Sequence, residues 1–232
     1  MRKKNGIGFQ VITIVIFGLL FASRGYGTSQ APDILEYGGK TYSVHTNPLS
    51  GYLETHPNLL PKPEVVSSGL WRGYIATWSL GKDHLFLKDV RVPTAAYMDS
   101  GVSEEKQFKS VMKNLFGETG PRVATWFTGH LIVPTGTLVK YVHMGYGSTY
   151  SSYLVATVVS GAVREARNLN QNEFETFRRS QFESFKATPA YARAKAEVKR
   201  DDKAMADSMV DDFLFGYYSE EFLSRIFEPA PH

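Results

Sequence analysis

The chain has 232 residues, a formal charge of +3 and no cysteine. That length is enough for one sizeable core or two small ones. The missing cysteines exclude disulfides, thiolate metal sites and a cysteine nucleophile, so packing alone must hold the fold.

The first residues include Arg2, Lys3 and Lys4, and Ile7 to Ala22 follows without a charge. Gly25-Tyr26-Gly27 then offers small residues ahead of Thr28. A basic start, an apolar run and a small-residue exit predict a signal peptide over residues 1–27. The run is shorter than the roughly 20 residues of a membrane span, and an uncleaved N-terminal anchor is the alternative. The segment holds Arg2, Lys3, Lys4 and Arg24 and no acid, so its removal takes the charge from +3 to −1. The basicity therefore belongs to targeting, and no nucleic-acid or anionic-membrane partner is implied. No lipid-attachment cysteine is present. The expected address is the periplasm, with secretion as the alternative and no stable membrane span after cleavage.

Thr28 to Asp33 reads as a leader. Ile34–Tyr37 and Lys40–Val44 flank Gly38-Gly39, a two-residue turn whose glycines accept positive φ. Thr46-Asn47-Pro48-Leu49 reads as a turn, and from there to Glu64 the chain is irregular, with Pro57, Pro61 and Pro63 holding it extended. Leu70 to Val90 reads as a hairpin around Gly81-Lys82-Asp83. Its first strand sets Leu70, Arg72, Tyr74, Ala76, Trp78 and Leu80 on one face. Ser103 to Phe116 is predicted as a helix ending at Gly117, with Phe108, Val111, Met112, Leu115 and Phe116 in one stripe. Val123 to Val142 reads as a second hairpin around Pro134-Thr135-Gly136. It repeats the Ala-Thr-Trp of the first, by duplication or by coincidence. Tyr153–Val159 is a strand that turns at Ser160-Gly161 into Ala162–Ala166.

After Asn168 the composition turns helical. Phe174, Phe177, Phe182 and Phe185 make one stripe, and Pro189 opens a second helix. That helix breaks near Asp201-Asp202 and resumes through Met205, Met209 and Phe213 to Gly216, and Ser219 starts a last short helix. The predicted class is α+β. A bent antiparallel sheet or partial barrel with one packed helix, residues 28–168, precedes a helical C-terminal extension, residues 169–232. The extension is either a tail packed on the β domain or a partner-binding module.

Tyr37-Gly38-Gly39-Lys40-Thr41-Tyr42-Ser43, Asn47-Pro48-Leu49, Leu70-Trp71-Arg72-Gly73-Tyr74, Ala76-Thr77-Trp78 and Tyr141 to Ser148 occur in that order. Together they resemble a widespread family of uncharacterised bacterial proteins without an established activity. The resemblance covers roughly residues 34–167. It implies that the β part is a unit and the tail an addition, and it supplies no mechanism.

The six histidines form no close-spaced metal motif, and there is no nucleophile elbow or phosphate loop, so no metal or cofactor is implied. The best candidate stretch is Tyr141 to Tyr150, where His143 offers an imidazole and Tyr146 a hydroxyl and a flat face. Arg72, closed in by Tyr74 and Trp78, would need an acidic partner, either a ligand or an internal acid such as Asp89 or Glu118. The expected ligand-binding set is therefore Arg72, Tyr74, Trp78, His143 and Tyr146, with no catalytic residue assigned. The first functional expectation is a non-enzymatic binding protein that recognises a protein or an envelope glycan through an aromatic-lined β surface. The alternative is an envelope-acting hydrolase with His143 as acid/base and Arg72 as anion holder. A third reading is an envelope component that oligomerises through its tail.

Overall fold

In the computed structural model, residues 30–143, 146–201 and 203–227 are described. The expected signal peptide lies outside them. β1 (Asp33–Tyr37) and β2 (Lys40–Val44) form the predicted hairpin. Gly38 and Gly39 stand at φ of 59° and 73°. Both values suit the twist of a two-residue turn, which is closed to most other residues. The irregular stretch that follows contains one unforeseen short helix, α1 (Ser50–Thr55).

β3 (Ile75–Leu80) and β4 (Leu85–Pro93) pair antiparallel. The strand begins at Ile75, five residues later than predicted. A single 3-10 turn occupies Ser68–Leu70, and Gly73 takes a φ of 75°, which ends any extended run. Leu70, Tyr74, Ala76, Trp78 and Leu80 are nevertheless all buried, as the alternation required. The edge of β3 away from β4 carries β1 in parallel register, with Leu35 opposite Trp78.

The predicted helix over 103–116 is two pieces, α2 (Glu104–Gln107) and α3 (Met112–Phe116), split by β5 (Phe108–Ser110). Phe108 to Ser110 pair with the C-terminal half of β4, and those ladder bonds override the helical stripe. Val111, Met112 and Leu115 are still buried, and Gly117 ends the segment at a φ of 77°. β6 (Arg122–Val123) joins the other half of β4. The result is one open sheet in the order β2-β1-β3-β4-β5, with β6 beside β4, antiparallel except at β1–β3.

The second predicted hairpin is not formed. Ala124 to Thr128 turn, β7 (Gly129–Pro134) follows, and β8 (Leu138–Lys140) pairs with β9 (Thr149–Tyr150) instead of with β7. β7 pairs with β10 (Ser152–Val159), whose other edge holds β11 (Ala162–Asn170). The chain leaving β7 cannot fold back on it because Thr135 and Gly136 both donate their N–H to the carbonyl of Ser152. The shared Ala-Thr-Trp does not mark a structural repeat. It is strand at Ala76–Trp78 and turn at Ala124–Trp126, where the N–H of Phe127 closes on the oxygen of Ala124. Ser160 and Gly161, at φ of 48° and 79°, join β10 to β11 as expected.

α4 (Gln171–Lys186) opens with a reciprocal cap between Asn170 and Glu173. α5 (Pro189–Asp201), α6 (Asp207–Tyr217) and α7 (Ser219–Leu223) follow. The expected boundary at 168/169 falls inside β11. The sheet β11-β10-β7 lies between two cores. Leu131, Val133, Leu154, Ala156 and Val158 face Leu35, Trp78, Leu87 and Val90. Ile132, Tyr153 and Val155 face Phe174, Phe182, Phe185, Leu214 and Phe222. Burial on both faces explains why β7 and β10 show no polar alternation. Each buried phenylalanine contributes about 1.5–3 kcal/mol, so the helices are held by the sheet they cover. Among the described residues no helix is long and apolar enough to cross a membrane.

Candidate functional site

Arg72 follows the turn at Ser68–Leu70, and its side chain is only 3% exposed. Its Nη2 lies 3.0 Å from Asp33 Oδ1 and donates to the oxygen of Ala31 at 2.9 Å. The expected partners, Asp89 and Glu118, are engaged elsewhere: Asp89 accepts from the Ser110 hydroxyl, and Glu118 holds Arg122. Neither could have been replaced by Asp33 in a sequence argument. Asp33 reaches Arg72 only because β1 runs parallel to β3, which also lets its oxygens accept from Ala76 N at 3.1 Å and Trp78 Nε1 at 3.0 Å. The guanidinium sits 4.8 Å from the centroid of Tyr74, not against Trp78. Its Nε and Nη1 are buried with no hydrogen-bond partner among the described residues.

Burial works against the charge of Arg72, but Asp33, Tyr146 and Tyr74 outweigh it and drive its pKa upward. Burial also pushes Tyr74 up to about 12, against the pull of Arg72. Next to this pair runs a polar chain. The Tyr146 hydroxyl donates to Asn47 Oδ1 at 3.1 Å, and Asn47 Nδ2 donates to Glu220 Oε2 at 2.7 Å. Desolvation raises the Glu220 carboxyl, with Arg72 opposing, and holds the Tyr146 phenol well above its ordinary value. A carboxylate of α7 is thus wired to a loop between β8 and β9 through a side chain that precedes α1.

The five anticipated residues separate. Trp78 is fully buried and Tyr74 is 3% exposed, so neither offers a contact surface. His143 is exposed, and its Nδ1 lies 2.6 Å from the Tyr141 hydroxyl. No described contact joins it to Arg72. Tyr146 alone couples the buried arginine to a cavity.

That cavity, of about 160 Å³, lies where the Tyr146–Thr149 loop meets β7, β10, the first turns of α4 and α7. Its wall includes His45, Tyr146, Ser148, Gln171, Asn172 and Arg178. The His45 ring stacks on Tyr146 with centroids 4.8 Å apart and meets Tyr150 edge-on at 5.6 Å. Its backbone N–H is held by the oxygen of Ile132 at 2.8 Å. Burial lowers its pKa to about 4, so the imidazole is neutral at physiological pH. No hydrogen bond is made to that ring among the described residues. Arg178 is tied down: it donates to the oxygen of Phe215 at 2.6 Å, faces Glu175 at 3.7 Å and covers the Phe215 ring at 4.1 Å. A larger depression of about 360 Å³ borders the Gly38-Gly39 turn, but it is a shallow trough beside Lys40, Thr41 and Ser79 with no buried polar group.

Asp33, His45, Asn47, Arg178 and Glu220 escaped the sequence reading. Asn47 sits in a motif noted only as a turn, and the others carry no local signal. No grouping of His, Asp and Glu side chains among the described residues suits a metal ion. Comparison with family models, with curated proteins and with solved structures finds no match.

Proposed function

We propose that this is an exported, non-enzymatic binding protein of the periplasm, and that its partner, a protein or an envelope glycan, places one group in the cavity beside Tyr146. The observation that carries this reading is an aromatic-walled cavity with a neutral imidazole that makes no hydrogen bond among the described residues, next to an arginine whose charge is balanced by Asp33. A volume of about 160 Å³ is below the roughly 300–1,000 Å³ of whole-ligand clefts, so it suits an end group of something larger. The surface involved is not the Trp78 face, because that face is interior.

The hydrolase reading needs an acid/base and an anion holder in one pocket. His143 is exposed, Arg72 is interior, and no observation favours their joint action. The test uses the protein on affinity resin with two inputs, envelope protein extract and purified envelope glycan. Saturable retention of one input is expected, and Asn172→Trp, which sets an indole at the cavity rim, should abolish it. Retention that is unsaturable, or unchanged in Asn172→Trp, refutes the reading. Export is checked separately: N-terminal sequencing of the periplasmic form should begin at Thr28.

A further inference from the structure

The charges around the cavity are already spoken for. Arg178 faces Glu175, and Glu175 also holds Arg179 at 2.8 Å. The start of α4 offers no anion site either. The N–H groups of Asn172 and Glu173 go to Asn170 Oδ1, and that of Gln171 goes to the oxygen of Ser151. An ionic ligand would lose its hydration and find no free counter-charge.

An apolar ligand fits no better. Ten of the fourteen wall residues carry polar side chains, set beside the apolar surface of Ile132, Phe174 and Leu223. Burying a greasy group there would strip water from those groups without replacing it. What remains is an uncharged ligand with hydrogen-bonding groups around its edge and an apolar face. His45 matches the edge. A neutral imidazole gives one hydrogen bond and takes another, as a hydroxyl does. Tyr146, whose ring lies on His45 in the cavity wall, supplies flat apolar surface.

We propose that the cavity between the Tyr146–Thr149 loop and the first turn of α4 is a subsite for one uncharged, polyhydroxylated sugar ring, whose hydroxyls are read by the His45 imidazole. This rests on the binding reading above and narrows it to the glycan. Gln171 and Asn172, the first two residues of α4, provide amides in the wall for further hydroxyls. Tyr146 is a positioning residue: its hydroxyl is committed to Asn47, which fixes the ring against His45.

The test is an NMR titration of the purified protein with methyl β-glucopyranoside, methyl β-galactopyranoside and N-acetylglucosamine. Glucuronate and glucosamine serve as charged versions of the same ring. At least one neutral sugar should saturate one-to-one, with shifts centred on His45, Ser148, Gln171 and Asn172. The charged rings should bind at least tenfold more weakly. His45→Phe keeps a stacked ring and removes its nitrogens, and Asn172→Trp leaves the imidazole and blocks the rim. Each should weaken the neutral sugar at least tenfold at an unchanged melting temperature. If no neutral sugar saturates, if a charged ring binds equally well, or if both variants bind like the parent, the sugar subsite is refuted. Should the resin still retain a protein that Asn172→Trp loses, only the ligand class falls. Should the resin retain nothing, the binding reading falls with it.

Discussion

Replacing Asp33 with alanine should be the most damaging single change in the β part of the molecule. It removes the ion pair to Arg72 at 3.0 Å and the acceptor for both Ala76 N and Trp78 Nε1. What stays behind is a guanidinium 3% exposed that cannot lose its proton, with Nε and Nη1 already without a hydrogen-bond partner among the described residues. Breaking a buried pair in this way costs about 3–5 kcal/mol. That is a large share of the 5–15 kcal/mol that holds a domain together. At roughly 2–4 °C per kcal/mol for a chain of this size, the melting temperature should drop by about 6–20 °C. Arg72→Met should cost less, because the carboxylate left behind keeps its two donors. In the double variant the loss should be smaller than the two single losses added. Urea unfolding followed by tryptophan fluorescence measures all three, Trp78 lying against the altered group. The reasoning fails if Asp33→Ala costs under about 1 kcal/mol, or if Arg72→Met is the worse of the two.

Gly129→Ala tests the joint between sheet and helices, since a β-carbon there would lie 1.9 Å from the oxygen of Ser224. That oxygen also accepts from His130 N at 3.2 Å, so the variant should lower the melting temperature and speed proteolysis after α7; unchanged protease resistance would contradict the packing. An NMR titration should place His45 and His130 at about 4, both lowered by burial, with Arg167 adding to the effect at His130. A folded-state value below the unfolded one near 6.5 means that protonation favours unfolding. These two residues should therefore cost stability as pH falls from about 6.5 to 4, and His130→Phe should flatten that slope; a His45 value near 6.5 would undo the account of the cavity. Asn47→Ala strips Tyr146 and Glu220 of their shared partner, at about 1–3 kcal/mol. The Glu220 carboxyl, raised by burial and held down in part by Asn47, should then titrate higher still, and no movement would show the link to be idle.

Local chemistry wrote much of this fold legibly. Two glycines demanded a tight turn at Gly38-Gly39, and Ser160-Gly161 behaved the same way. Pro189 and the phenylalanine stripe from Phe174 marked helices because a period near 3.6 and a missing N–H act within a few residues. Alternation from Leu70 to Leu80 named the buried side chains correctly even where the backbone was not a strand. The α+β class followed from these.

Pairing did not follow. Nothing near Val133 says that its partner is Leu154 and not a residue of the next run, and nothing in Phe108 to Ser110 outweighs a helical stripe until β4 is beside it. The partner of Arg72 is hidden from the sequence for the same cause. Asp33 was passed over at the end of a leader, and only a parallel strand contact delivers it. The cavity depends on four segments far apart in the chain. His45, Tyr146, Asn172 and Ser219 have no sequence relation to one another, and only the packing of helices on the outer face of the second sheet makes them neighbours.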